Sequence, residues 1–437
     1  MITKIKGTQD ILPEECVKWQ EVEQIIRQVS RLYNFSEIRT PIFEATEIYH
    51  RGTGEGTDIV KKETYDFLDR GERQITLRPE GTPGIVRSII ENKLYTTSPL
   101  PLKLFYVGPM FRYERPQKGR QRQFHQFGAE AIGSADPMLD AEMIAYAATF
   151  LAALGLHSVL VKVNSIGDRD SQVAYAKALK DFLYPEKEHL CPDCQRRLDS
   201  NPMRVLDCKV DIDNPLLKNA PKPLDFLSEA AQAHFNSVLD YLKAMGVAHK
   251  VEPNLVRGLD YYTHTVFELE ADIPGMGAQS TLCGGGRYDR LSETLDGPNL
   301  PSVGFAFGLE RLLIARDKIN IETQAAFIHA FLIVLGEKPK ARAMAIARSL
   351  RHGGIVTDMD FQDRSLKGKF KQGERLNPYF YLIFGEDELN EESIMVKQVK
   401  TGTQEKVSLD QLYRYLVDCL RAETPCSGHC ENCESDC

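Results

Sequence analysis

Five cations crowd the stretch Gly108 to Ile132, GPMFRYERPQKGRQRQFHQFGAEAI: Arg112, Arg115, Lys118, Arg120 and Arg122, with Glu114 among them. A planar guanidinium meets phosphate oxygens through two parallel hydrogen bonds, so arginines spaced like this suit a polyphosphate. A hairpin needs only a few connecting residues, and a longer, strongly charged connection points to binding. On its far side the alternation from Phe124 to Ile132 turns Gln126, Gly128 and Glu130 to one strand face and Phe127, Ala129 and Ala131 to the other. An amide, a glycine and a carboxylate beside a phosphate-seeking loop make the floor of a pocket. The preceding apolar run, Leu102 to Val107, is expected to end at Gly108-Pro109.

Other stretches hold related chemistry. Glu80-Gly81-Thr82 groups an acid, a glycine and a hydroxyl that can hold an ammonium group, although a capped helix start fits the same residues. Arg257, Gly258, Asp260, Tyr261 and Tyr262 place more polar groups in six residues than a turn requires, and His264 is expected to face outward from the strand that follows. Cys283-Gly284-Gly285-Gly286-Arg287-Tyr288-Asp289 permits close backbone approach to a ligand or forms a loose turn. Gly304 to Leu312 opens into a helix that carries Arg311 within reach of phosphate.

Cys191-x-x-Cys194 and Cys208, with His189 close by in sequence, offer a partial zinc set. The second C-x-x-C half is missing, so the spacing favours unligated thiols. Cys426, Cys430, Cys433 and Cys437, with one histidine among them, suffice for a tetrahedral zinc site, while a short polar terminus is by default disordered.

The elements that position these groups follow from punctuation and period. Pro13 suits a first helical position, and Trp19, Val22, Ile26, Val29 and Tyr33 recur at helical spacing. Asp136-Pro137 caps a helix that Gly155 ends. Pro41 marks a strand edge or break. Residues 170–247 read as a mainly helical insertion. A boundary near residue 325 precedes apolar strands at 331–335, 355–359, 379–384 and 394–398, alternating with helices. That order predicts an α/β domain over 326–421, ahead of a cysteine-rich tail at 422–437. Arg364, Lys367, Lys369, Lys371 and Arg375 form a second basic patch there.

Composition sets the frame. The 437 residues, 42% hydrophobic and 27% charged, suit a multidomain globular protein. A net charge of −8 gives no global attraction to nucleic acid, so any RNA contact rests on local patches. No run approaches a membrane span and the amino terminus lacks an apolar signal core, so a cytoplasmic location is expected.

Taken together, the motifs resemble class II aminoacyl-tRNA synthetases, and within them the histidyl family. FRYERPQKGRQRQFHQFGAE is similar to the family's motif 2, FSEIRTPIFE to motif 1, GFAFGLERL to motif 3 and RGLDYYT-TVFE to the histidine-specific signature; KGTQDILPEE resembles the family's opening. The resemblance covers residues 1 to about 420; the cysteine tail departs from it. It implies an α+β catalytic domain over 1–325, an antiparallel sheet flanked by helices, and an α/β anticodon-binding domain. It also implies a homodimer, with histidine, ATP with Mg²⁺ and a histidine-accepting tRNA as partners.

Carried over residue by residue, histidine is held by Glu80, Gly81, Thr82, Arg112, Gln126, Glu130, Arg257, Tyr261, Tyr262 and Tyr288. ATP is held by Arg112, Arg120 and Arg311, and Arg257 and Arg112 assist the chemistry. Glu130 and Tyr262 are expected to take the two imidazole nitrogens. A catalytically silent relative, the regulatory subunit of ATP phosphoribosyltransferase, shares the core fold but lacks the carboxy-terminal domain and loses signature residues.

Overall fold

Pro13 opens the first helix, Pro13–Leu32, at its first position, and Val22, Ile26 and Val29 form the buried stripe that the spacing predicts. In this computed structural model the described residues are all except 55, 56, 58, 207, 209, 212, 277–279, 322–326, 363 and 424–437. The chain divides into two compact units, residues 1–323 and 324–437.

The strands of the first unit, in chain order, are β1 (Ser36–Glu37), β2 (Phe43–Ala45), β3 (Tyr65–Leu68), β4 (Gln74–Leu77), β5 (Leu102–Phe111), β6 (Gln123–Ile132), β7 (Val159–Ser165), β8 (His249–Val251), β9 (Thr263–Ala271), β10 (Thr281–Arg287) and β11 (Ser302–Gly308). Eight of them build one sheet in the order β1-β5-β6-β11-β10-β9-β7-β8. It is antiparallel except where β1 joins β5 and β7 joins β8. The break at Pro41 sends the chain out of this sheet, and β2 pairs with β4 in a small sheet of its own with β3.

One face of the large sheet is the core. Phe127 of β6 stacks on Phe307 of β11 and meets Phe150 edge-on, beneath the helix Pro137–Ala153. That helix starts as expected, with Asp136 accepting from the Met138 N–H at 2.9 Å. The other face, bearing Gln126 and Glu130, lines a cleft.

Several expectations change. β5 runs on through Gly108-Pro109 to Phe111, paired with β6 throughout. The Phe111 N–H turns away from β6 to the Arg78 carbonyl, so Pro109, two residues earlier, also points its nitrogen away and costs the ladder nothing. The glycine run at 284–286 is a paired strand, not a turn. His264 does not face outward. It has positive φ, is half-buried, and its ring centroid lies 4.9 Å from that of His234. The helical stretch at 170–247 divides: residues between Tyr175 and Ala220 share a small hydrophobic cluster of their own, whereas Phe235, Val238 and Leu242 of the helix Glu229–Ala244 join the main core.

In the second unit β12 (Ile328–Val334), β13 (Thr357–Met359), β14 (Pro378–Phe384), β15 (Ser393–Gln398) and β16 (Gln404–Ser408) form a mixed sheet in the order β13-β12-β14-β15-β16. The sequence reading missed β16, whose pattern is almost wholly exposed apart from Val407. The second basic patch falls on and around the helix Leu366–Glu374. Lys367, Lys371 and Arg375 are exposed, while Lys369 donates to the Val334 carbonyl and Arg364 pairs with Asp360. Among the described residues no helix is long and apolar enough to cross a membrane.

Candidate active site

The cleft is framed by β5, β6, β10 and β11 and by the loop ahead of β9. It brings together Glu80, Thr82, Arg112, Arg120, Gln126, Glu130, Arg257, Tyr261, Tyr262, Tyr288 and Arg311. Gly81 alone among the expected residues does not line it. A side chain at Gly81 would overlap the ring of Tyr106, and so would one at Gly128, directly opposite Tyr106 across the strand pair. Both glycines therefore make room for a buried tyrosine in the cleft wall that the motifs did not single out. Its signal was present in Gly128, because a glycine within a strand marks a close approach.

Two carboxylates lie at the bottom. Glu130 accepts from the Thr82 hydroxyl at 2.6 Å and from the Tyr288 hydroxyl at 2.5 Å. Burial pushes its pKa up to about 8; those two hydrogen bonds pull it back, and the nearby charge of Glu80 raises it. Glu80 accepts from Thr53 at 2.7 Å and from Tyr261 at 2.9 Å, and burial pushes it up as well. The Gln126 carbonyl oxygen is buried with no hydrogen-bond partner among the described residues. Burial carries the Tyr262 hydroxyl to about 12, against the pull of the Arg257 charge. The floor thus offers acceptors held by neutral donors, and a cationic or N–H-rich ligand completes it.

The cations stand around this floor in fixed poses. Arg112 donates from Nε to the Pro79 carbonyl at 2.9 Å, with its guanidinium 5.3 Å above the Phe124 ring. Arg311 donates to the Thr281 carbonyl at 3.0 Å; burial and the charges of Arg120 and Arg112 depress its pKa. Arg120 reaches Glu114 at 3.4 Å. Arg257 pairs with Glu268 of β9, and a side chain at Gly284 would overlap its guanidinium. The glycines of β10 thus admit protein side chains, Arg257 over Gly284 and Tyr262 beside Gly286. Glu268 and Glu310, which accepts from the His125 N–H at 2.9 Å, were not expected; single acids within strand and helix patterns gave no signal.

Of the other cations in the loop, Arg122 lies over the Tyr113 ring at 3.9 Å. The tail cysteines Cys426, Cys430, Cys433 and Cys437 lie outside the described residues.

The family model described as histidyl-tRNA synthetase matches residues 7–184 and 193–312, and an anticodon-binding-domain model matches 329–418. The histidine–tRNA ligase of Bacillus licheniformis is 50% identical over 412 residues, which cover 94% of this chain and 97% of the relative. That of Bacillus subtilis is 50% identical, covering 93% and 96%. The chain belongs to the histidyl-tRNA synthetase family.

Among solved structures, apo Staphylococcus aureus histidyl-tRNA synthetase superposes with a TM-score of 0.82 at 42% identity, covering 95% of this chain and 100% of that one. A structure described as an ATP phosphoribosyltransferase regulatory subunit/histidyl-tRNA synthetase, from Bacillus halodurans, gives 0.64 at 22% identity over 88% and 98%, a likeness of fold alone. The class II synthetase fold, an antiparallel sheet flanked by helices and followed by an anticodon-binding domain, is the architecture described above.

Proposed function

We propose that this histidine–tRNA ligase builds histidyl-adenylate in the cleft between β6 and β10, and that the residues gathered there divide the two substrates between them. The carrying observation is Glu130: a carboxylate sealed from water whose partners among the described residues are two hydroxyls and no cation. An imidazole carries two ring nitrogens, and selecting it requires a partner for each. Glu130 takes one and the Tyr262 hydroxyl the other. Glu80, Thr82 and the unpartnered Gln126 oxygen receive the α-ammonium group. Gly81 acts indirectly, by letting Tyr106 pack.

Arg112, Arg120 and Arg311 receive ATP, which arrives with magnesium as part of the nucleotide substrate. The histidine carboxylate attacks the α-phosphorus, the bond to the bridging oxygen breaks and pyrophosphate leaves. Negative charge grows on the α-phosphate oxygens, so cations already held in place there stabilise the transition state. Arg257, oriented by Glu268, supplies that charge, and Arg112 stands between nucleotide and amino acid. No side chain need act as a nucleophile. The adenylate then acylates the terminal ribose of the tRNA.

The second unit, with exposed Lys367, Lys371 and Arg375, supports binding of the tRNA anticodon through phosphate contacts. Phe43, Phe67 and Leu68 of the small sheet are exposed apolar side chains, which supports burial of that sheet in a homodimer. A cytoplasmic location fits an enzyme of protein synthesis. ATP–pyrophosphate exchange with each amino acid in turn tests the reading: histidine drives exchange, and dominant exchange with another amino acid contradicts it.

A further inference from the structure

The three thiols that lacked a partner motif in the sequence acquire one in the fold. Cys191 caps the helix Pro192–Ser200 and Cys194 lies in its first turn, so the C-x-x-C spacing sets both sulfurs at one helix end. Facing them are Cys208 and Asp211. The sulfurs and a carboxylate oxygen of these four residues all lie within 4.8 Å of one another. The missing second half is therefore Cys208-x-x-Asp211, with a carboxylate in the fourth place. His189, the other donor expected from sequence, is exposed and pairs with Glu186.

We infer that Cys191, Cys194, Cys208 and Asp211 form a structural zinc site that ties the helical insertion together. Zinc takes thiolate and carboxylate donors in tetrahedral sets, and a Zn–S bond near 2.3 Å sets sulfur–sulfur edges of about 3.8 Å. The Cys191 and Cys208 sulfurs stand 3.6 Å apart, close to that edge and far beyond a disulfide bond. Backbone N–H groups already point at two of the donors. The Asp211 N–H donates to the Cys208 sulfur at 3.4 Å, and the Cys191 N–H donates to Asp211 Oδ2 at 3.0 Å. A carboxylate has a second oxygen to give a metal.

Simple packing accounts less well for the group. Cys194 and Cys208 sit in the insertion's small apolar cluster with Leu190, Leu198 and Val205, where thiols are at home. Asp211 is buried beside them, and among the described residues no ion pair to it is present. Three thiols gathered around one carboxylate are more donor chemistry than apolar packing needs, and a divalent ion uses all four groups. A cluster this small also gains from a staple, because few apolar side chains hold its helices.

The test uses the full chain with Cys426, Cys430, Cys433 and Cys437 replaced by serine, so that any metal counted belongs to the insertion. Purified under reducing conditions without chelator, this parent should carry about one zinc per chain by elemental analysis. Adding Cys208→Ser should lower that to below about a tenth. Cobalt added to the metal-stripped parent should give the absorption of a tetrahedral thiolate site, and Asp211→Ala should alter that spectrum. Circular dichroism reports whether each variant folds; should Cys208→Ser fail to fold, the parent's zinc content and cobalt spectrum decide. A folded parent with neither zinc nor a thiolate–cobalt spectrum overturns the site, as does a folded Cys208→Ser chain that keeps the parent's metal.

Discussion

Asp140 and Glu130 are both sealed inside the first unit, yet their protons behave in opposite ways. Burial works to raise Asp140, but the Arg287 guanidinium and hydrogen bonds from His234 and Arg287 hold it down to about 2. Arg287 donates from Nε to both Asp140 oxygens at 3.1 Å and also reaches the Ser134 carbonyl at 2.9 Å. Glu130 has the same burial and two good hydrogen bonds, but no guanidinium, and it rises to about 8. A buried carboxylate matched by a cation within the fold serves the fold. One matched only by hydroxyls is incomplete until something else supplies the positive partner, and on the proposed reading that partner is the imidazole of histidine.

The largest expected loss comes from breaking the matched pair. Arg287→Met leaves Asp140 charged, buried and without its main partner, a change that typically costs about 3–5 kcal/mol. Denaturant unfolding of the variant should show that loss, and a change below about 1 kcal/mol would mean that the pair is not structural.

Next comes Arg257, whose proposed role is to supply charge mainly as the transition state forms. Removing one preorganised donor of this kind costs about 10²–10³ in kcat. Arg257→Ala should therefore lose histidine-dependent exchange by that factor, with the KM for ATP changed only a few-fold. Near-normal exchange would remove Arg257 from the chemistry.

A gain rather than a loss sharpens the contrast from the Glu130 side. Its folded pKa is raised above the unfolded value of about 4.3, so its contribution to stability is fully present below that pH and is lost as pH rises through about 8. Glu130→Gln has no charge to bury and should be more stable than the parent at pH 8.5, by about 5 kcal/mol, with the difference vanishing near pH 4. Thermal unfolding of the ligand-free proteins across pH measures it. An equal pH dependence in the two proteins would show that Glu130 carries no such penalty.

What the sequence made legible, and what it did not, follows a physical division. Strand alternation alone told which way Glu130 and Gln126 face, because the period of two leaves no choice once Phe127, Ala129 and Ala131 claim the core. The long basic loop and the Arg257 signature were readable because their charges exceed what packing needs. Contacts between distant segments were not. Nothing within a window of sequence says that Gly284 is small for the sake of Arg257, or that Asp211 comes to face Cys191. Pro109 misled for a related reason: a proline stops a strand only if its missing N–H was wanted by a neighbour, and pairing is a property of the sheet.

The most direct test of the account is the exchange kinetics of Glu130→Gln, read separately for the two substrates. A buried hydrogen bond to a charged group is worth about 1.5–3 kcal/mol, so histidine use should fall roughly ten- to hundredfold in kcat/KM. The KM for ATP should hardly move, because the arginines proposed to receive the nucleotide make none of their observed contacts through Glu130. A defect confined to ATP, with the histidine constant intact, would contradict the assignment.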